Sequence, residues 1–107
     1  MLTDLKIVIN RLKELLERVA PEAKAILYGS QARGDAHADS DIDLLILLPD
    51  SLDSKTFAKR SGEVSGNIYD LSLELMVDIN SLILKPQIFY KRLTPFVINV
   101  MNEGIEL

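Results

Sequence analysis

The sequence predicts an α/β or α+β domain in which helices flank one small mixed β-sheet. Three observations predict it. An amphipathic helical stripe opens the chain, two short apolar strand-like runs follow, and a second long helical stripe separates these from a third such run. The 107 residues leave room for one domain, taken as residues 1–107.

The first helix rests on Leu5, Val8, Ile9, Leu12, Leu15, Leu16 and Val19, which recur at three- and four-residue steps. Thr3 is the expected N-cap, and Pro21 lies just past the end. Residues 23–28 form an apolar run that ends at Gly29, as a buried strand would. Ser30 to Arg33 is turn-sized and can start a short helix with Ser30 near its N-cap. Residues 34–40 are polar and loop-like. In the second strand, residues 41–48, alternation puts Asp41, Asp43, Leu45 and Leu47 on one face and Ile42, Leu44, Ile46 and Leu48 on the other. The first face changes from acidic to apolar along its length, so one end meets solvent or ligand and the rest is covered.

A helix over residues 55–75 carries Phe57, Val64, Ile68, Leu71 and Leu75 as its stripe, with Gly62 and Gly66 weakening its middle by about 1 kcal/mol each relative to Ala. Residues 77–84 read as the third strand. Pro86 opens a short helix with Ile88, Phe89 and Leu93. Thr94-Pro95 is an N-cap followed by proline at the first helical position, and that last helix should stop at Gly104.

Composition excludes several functions. Sixteen acidic residues against twelve Lys and Arg give a net charge of -4, which argues against non-specific nucleic-acid binding. With no cysteine there are no disulfides, thiolate metal sites or Cys nucleophiles. The longest apolar run, Leu44 to Leu48, is far too short to span a membrane, and the N-terminus has no signal-peptide pattern. A cytoplasmic protein is expected. A single small sheet leaves an edge, which allows self-association as a homo-oligomer.

The chemistry is concentrated between Gly29 and Asp43. Asp41 and Asp43 point the same way from one strand, with Cα atoms about 6.5 to 7 Å apart. Like charges so placed call for a cation, and hard oxygen donors suit Mg²⁺ together with substrate phosphates. Gly29 allows close backbone approach, Ser30 adds a hydroxyl, and the N–H groups that follow can receive a phosphate. Arg33 can reach the same anion or brace the loop through Asp35 or Asp39. A nucleoside triphosphate carrying Mg²⁺ fits both halves.

Three near-miss motifs fail. Gly29 and Gly34 have Walker spacing, but Asp35 stands where Lys is needed. Asp39, Asp41 and Asp43 mimic the start of an EF-hand loop, but Leu44 replaces its glycine and Asp50 its glutamate. His37, the single histidine, has no nucleophilic serine motif around it and reads as an exposed loop residue. Lys55, Lys59 and Arg60 read as a solvated helix face, Tyr28 as sheet packing, and Phe89, Tyr90 and Phe96 as core or partner surface.

Gly29-Ser30, ten intervening residues, then Asp41-Ile42-Asp43 reproduce the signature of the DNA polymerase beta superfamily of nucleotidyltransferases, with Arg33, Gly34 and Ser40 also in keeping. The chain resembles its minimal nucleotidyltransferase members. The resemblance covers residues 23–48 strongly, and elsewhere only in length and element order. It implies a third carboxylate on a later strand; Asp78 in Val77-Asp78-Ile79 fits, and Glu74 competes from the end of the preceding helix. By the same resemblance, Asp41, Asp43 and Asp78 are the catalytic and metal-holding residues. Gly29 and Ser30, with Arg33, hold the phosphates of the nucleotide, and an acceptor hydroxyl attacks the α-phosphate.

The implied activity is Mg²⁺-dependent adenylyl transfer from ATP to a hydroxyl of a partner protein. The chain would then be the antitoxin of a pair whose toxin is a helical HEPN protein. The alternatives are a catalytically silent module that neutralises such a partner by occlusion, and nucleotidyl transfer to a small molecule, which the lack of a second pocket-forming domain disfavours.

Overall fold

The computed structural model describes residues 4–34 and 41–107. Along the chain run α1 (Leu5–Val19), β1 (Lys24–Tyr28), α2 (Ser30–Arg33), β2 (Ile42–Leu47), α3 (Ser54–Leu75), β3 (Ile79–Leu84), α4 (Pro86–Phe89), α5 (Pro95–Glu103) and β4 (Ile105–Glu106). The strands form one mixed sheet in the order β3-β2-β1-β4. β1 is antiparallel to β2 and β4, while β2 and β3 are parallel. A parallel pair needs a long crossover, and the 22 residues of α3 supply it.

The alternation in β2 separates two apolar clusters. Ile42, Leu44, Ile46 and Leu48 face the main core, where Val8, Leu12, Leu15 and Leu16 of α1 and Val64, Ile68 and Leu71 of α3 close over them. Leu45 and Leu47 face the other way, into a smaller cluster with Phe89, Val97 and Val100 from α4 and α5. On the main-core side β2 is thus covered along its whole length. On the other, its cover lies over the Leu45–Leu47 end of β2, leaving the Asp41–Asp43 end to the site.

Several local expectations are corrected. The N-cap of α1 is Asp4, whose carboxylate accepts from Lys6 N at 2.9 Å; Thr3 lies outside the described residues. The N-cap of α2 is Gly29, and Ser30 occupies the first helical position. Gly104 follows α5 as expected but with φ -65°, so the left-handed conformation is not its reason. Any Cβ there would strike the Val100 carbonyl and Ile26, so close packing of α5 on β1 requires glycine. The left-handed cap belongs instead to Met76, φ 56°, which ends α3 with Val77 N donating to Ser72 O at 3.1 Å. Arg60 is not merely solvated: it donates to the Val19 carbonyl at 3.1 Å and pairs with Glu22 at 2.8 Å, fastening α3 to the end of α1. Leu93 falls outside α4 and is exposed. β4 is an addition that periodicity did not announce. Among the described residues, no helix is long and apolar enough to cross a membrane.

Candidate active site

Two strand ends and one bend make the site. β1 ends at Tyr28, which pairs in register with Asp43 of β2. The chain must then turn away from the sheet within one residue. Gly29 does this at φ 76°, ψ -155°, a region essentially closed to residues with a Cβ. A Cβ at Gly29 would lie 2.6 Å from Asp43 Oδ2, so the bend sits directly against that carboxylate. Ser30 and Gln31 follow, and the Gly29 carbonyl accepts from Ala32 N and Arg33 N, both at 3.1 Å. The bend and Asp43 therefore adjoin across neighbouring strands.

Asp41 stands just before β2 and is exposed, while Asp43 within it is partly buried. Their face is shared by Asn80, which β3 sets beside Asp43 through the parallel register. The Asn80 side-chain nitrogen donates to Asp41 Oδ2 at 3.0 Å and to Asp43 Oδ1 at 3.3 Å. Oxygens from both carboxylates thus converge on one point.

Asp78 lies on the same face two residues before Asn80. Its carbonyl accepts from Ile42 N at 2.8 Å, which brings its backbone alongside the start of β2. Its side chain is exposed, and among the described residues no three acidic or histidine side chains gather into a metal-holding group. Glu74 is placed elsewhere: it pairs with Arg11 of α1, in the helical layer beneath the opposite face. Arg33 is committed to α5, pairing with Glu103 at 3.3 Å. Asp35 and Asp39, the partners expected for it, lie outside the described residues, as do His37 and Ser40.

Aromatic packing walls the covered side. Tyr28 meets Phe96 edge to face at 5.3 Å, and Phe96 meets Phe89 at 6.2 Å. Burial, and secondly the charge of Asp43, hold the Tyr28 phenol above its ordinary range, so it stays neutral beside the carboxylate. Sequence reasoning missed Asn80 as a site residue. The available signal was strand parity with Asp78, but which carboxylate it meets depends on the β2–β3 register.

These residues fit a divalent cation. Asp41 and Asp43 are hard oxygen donors that already share one point, and the Gly29 bend keeps a Cβ out of the space beside Asp43. Asp78, just before β3, is the candidate for a further carboxylate, its backbone lying beside the start of β2.

Comparison with known proteins bears on the family and the fold. The family profile described as a nucleotidyltransferase domain matches residues 5–107. A Methanocaldococcus jannaschii protein, MJ0141, named as a candidate protein adenylyltransferase, is 34% identical over 97 residues, covering 90% of this chain and 83% of that protein. Among solved structures, a toxin–antitoxin with AMP-PNP superimposes with a TM-score of 0.59 at 23% identity, over 91% of this chain and 69% of that one. A candidate minimal nucleotidyltransferase gives a TM-score of 0.59 at 24% identity, over 99% of this chain and 98% of that one. At those identities the structural likeness is one of fold.

Proposed function

This chain belongs to the nucleotidyltransferase domain family, and from that premise we propose that it transfers AMP from ATP, with Mg²⁺, to a hydroxyl of a partner protein in the cytoplasm. The partner is the toxin of a toxin–antitoxin pair, a helical protein of the HEPN type, and this chain is its antitoxin. The relative named for protein adenylylation and the fold shared with a toxin–antitoxin holding AMP-PNP support the acceptor class and the nucleotide. The observation that carries the chemistry is the convergence of Asp41 and Asp43 oxygens beside the Gly29 bend.

Asp41 and Asp43 would hold the metal, with Asp78 as the third carboxylate. Bound there, Mg²⁺ supplies charge neutralisation for the triphosphate as negative charge develops on it. The chain's own groups do the rest. Gly29 and Ser30 seat the β and γ phosphates, since the bend admits close approach and Ser30 brings a hydroxyl. Arg33, braced by Glu103, lends positive charge at the end of the same short helix. The acceptor oxygen attacks the α-phosphorus, its proton passes to the Asp78 carboxylate, and the bond to the β-phosphate oxygen breaks to release pyrophosphate. Catalysis is positioning and electrostatic stabilisation.

One observation favours a second reading. The Asn80 amide lies between the two carboxylates, and Asp78 does not join them, as suits a silent module that neutralises its partner by occlusion. Labelled ATP with Mg²⁺ and the protein encoded beside this chain separates the two. Adenylyl transfer predicts label on the partner, with both label and neutralisation lost in Asp41→Asn/Asp43→Asn. Full neutralisation by that double variant would establish occlusion.

A further inference from the structure

Two acceptors converge on one donor at Asn80. Because both partners are carboxylates, the atom facing them is the amide nitrogen, which can only donate. It carries partial positive charge into the place where two negative groups meet. Weakly, it does what a cation does strongly. The register that sets Asn80 beside Asp43 is continuous along β2 and β3, so the amide stands there by the construction of the sheet.

We propose that Asn80 is a positioning residue that serves as a built-in placeholder for the cation, so that divalent metal enters the site together with the triphosphate and binds poorly without it. This rests on the metal–nucleotide reading above. A bare ion seated between Asp41 and Asp43 must displace two charge-assisted hydrogen bonds. It gains in return two carboxylates that the amide had already partly compensated. Mg²⁺ gives up its own waters reluctantly and is usually held by one or two carboxylates together with substrate phosphates. The amide therefore sets a threshold that the free ion does not pass and the ion with its nucleotide does.

The test is binding of Mn²⁺ without nucleotide, read from the loss of the free-ion electron paramagnetic resonance signal, in wild type, Asn80→Ala and Asn80→Val. Valine removes the donor while keeping a good strand former. Both variants should bind bare Mn²⁺ about tenfold more tightly than wild type, opposite in sign to the loss that removing an ordinary outer-sphere partner causes. Unchanged or weaker binding in either folded variant overturns the placeholder. Calorimetry with preformed Mn²⁺·AMP-PNP separates that failure from failure of the functional reading. If wild type binds the complex through Asp41 and Asp43 while the Asn80 variants bind bare metal no better, only the placeholder is wrong. If Asp41→Asn/Asp43→Asn binds the complex as wild type does, both fall.

Discussion

Replacing Gly29 by alanine tests the tightest contact in the site. The residue sits at φ 76°, ψ -155°, where a side chain costs about 1 to 3 kcal/mol of backbone strain. The new methyl would also lie 2.6 Å from Asp43 Oδ2, too close to remain, so the carboxylate must rotate away from the bend. Gly34 is the control. It too has positive φ, 80°, but a Cβ there meets nothing within 4 Å among the described residues, leaving the left-handed penalty of about 1 to 2 kcal/mol. Urea unfolding followed by circular dichroism should show Gly29→Ala destabilised by about 2 to 3 kcal/mol and more than Gly34→Ala. Binding of Mg²⁺·AMP-PNP should fall about tenfold or more in Gly29→Ala and stay near wild type in Gly34→Ala. Equal destabilisation with intact nucleotide binding in both would refute the claim that this bend and Asp43 form one site.

Other expectations concern the frame that holds the site. Gly62→Ala and Gly66→Ala, at exposed positions of α3 where a Cβ meets none of the described residues within 4 Å, should each raise stability by up to about 1 kcal/mol, read as a shift of the urea midpoint. Thr94→Ala loses the hydroxyl that accepts from Val97 N at 3.2 Å, and should cost about 1 kcal/mol in the same assay. Asp53 caps α3, and its hydrogen bond from Thr56 holds the carboxyl below its ordinary 3.8. A depressed carboxyl contributes its stability above that value and loses it as the pH falls through the lowered one. The stability gap between wild type and Asp53→Ala should therefore be constant near neutrality and narrow below about pH 4; a gap independent of pH would show that the charge plays no part.

The sequence made legible whatever depended on short-range periodicity. Seven apolar residues at helical steps defined α1, and strict alternation in β2 separated Leu44 and Ile46, in the main core, from Leu45 and Leu47, under α4 and α5. Thr94-Pro95 marked the start of α5 because a cap and a fixed φ are local properties. What escaped was set at long range. Asn80 reaches Asp41 and Asp43 only because the crossover fixes the β2–β3 register. Arg33 finds Glu103 seventy residues away. β4, at two residues, is too short to show alternation and exists because α5 delivers it to the β1 edge. Met76 adopts a left-handed cap that no turn-forming residue signalled. The cap of α2 was read one position late: Ser30 suggested it by residue type, whereas the sharp exit from β1 beside Asp43 puts Gly29 there.

The central claim is that Asp41 and Asp43 grip a metal-bound triphosphate against the Gly29–Ser30 bend. Its most direct measure is calorimetric titration of Mg²⁺·AMP-PNP into wild type and into Asp41→Asn/Asp43→Asn, with unfolding curves to show that both are folded. Saturable binding to wild type, weakened in the double variant by more than the roughly 10- to 100-fold that outer-sphere partners cost, is the predicted result. Equal affinity in the two proteins, or no heat of binding in wild type even with its partner protein present, would contradict it.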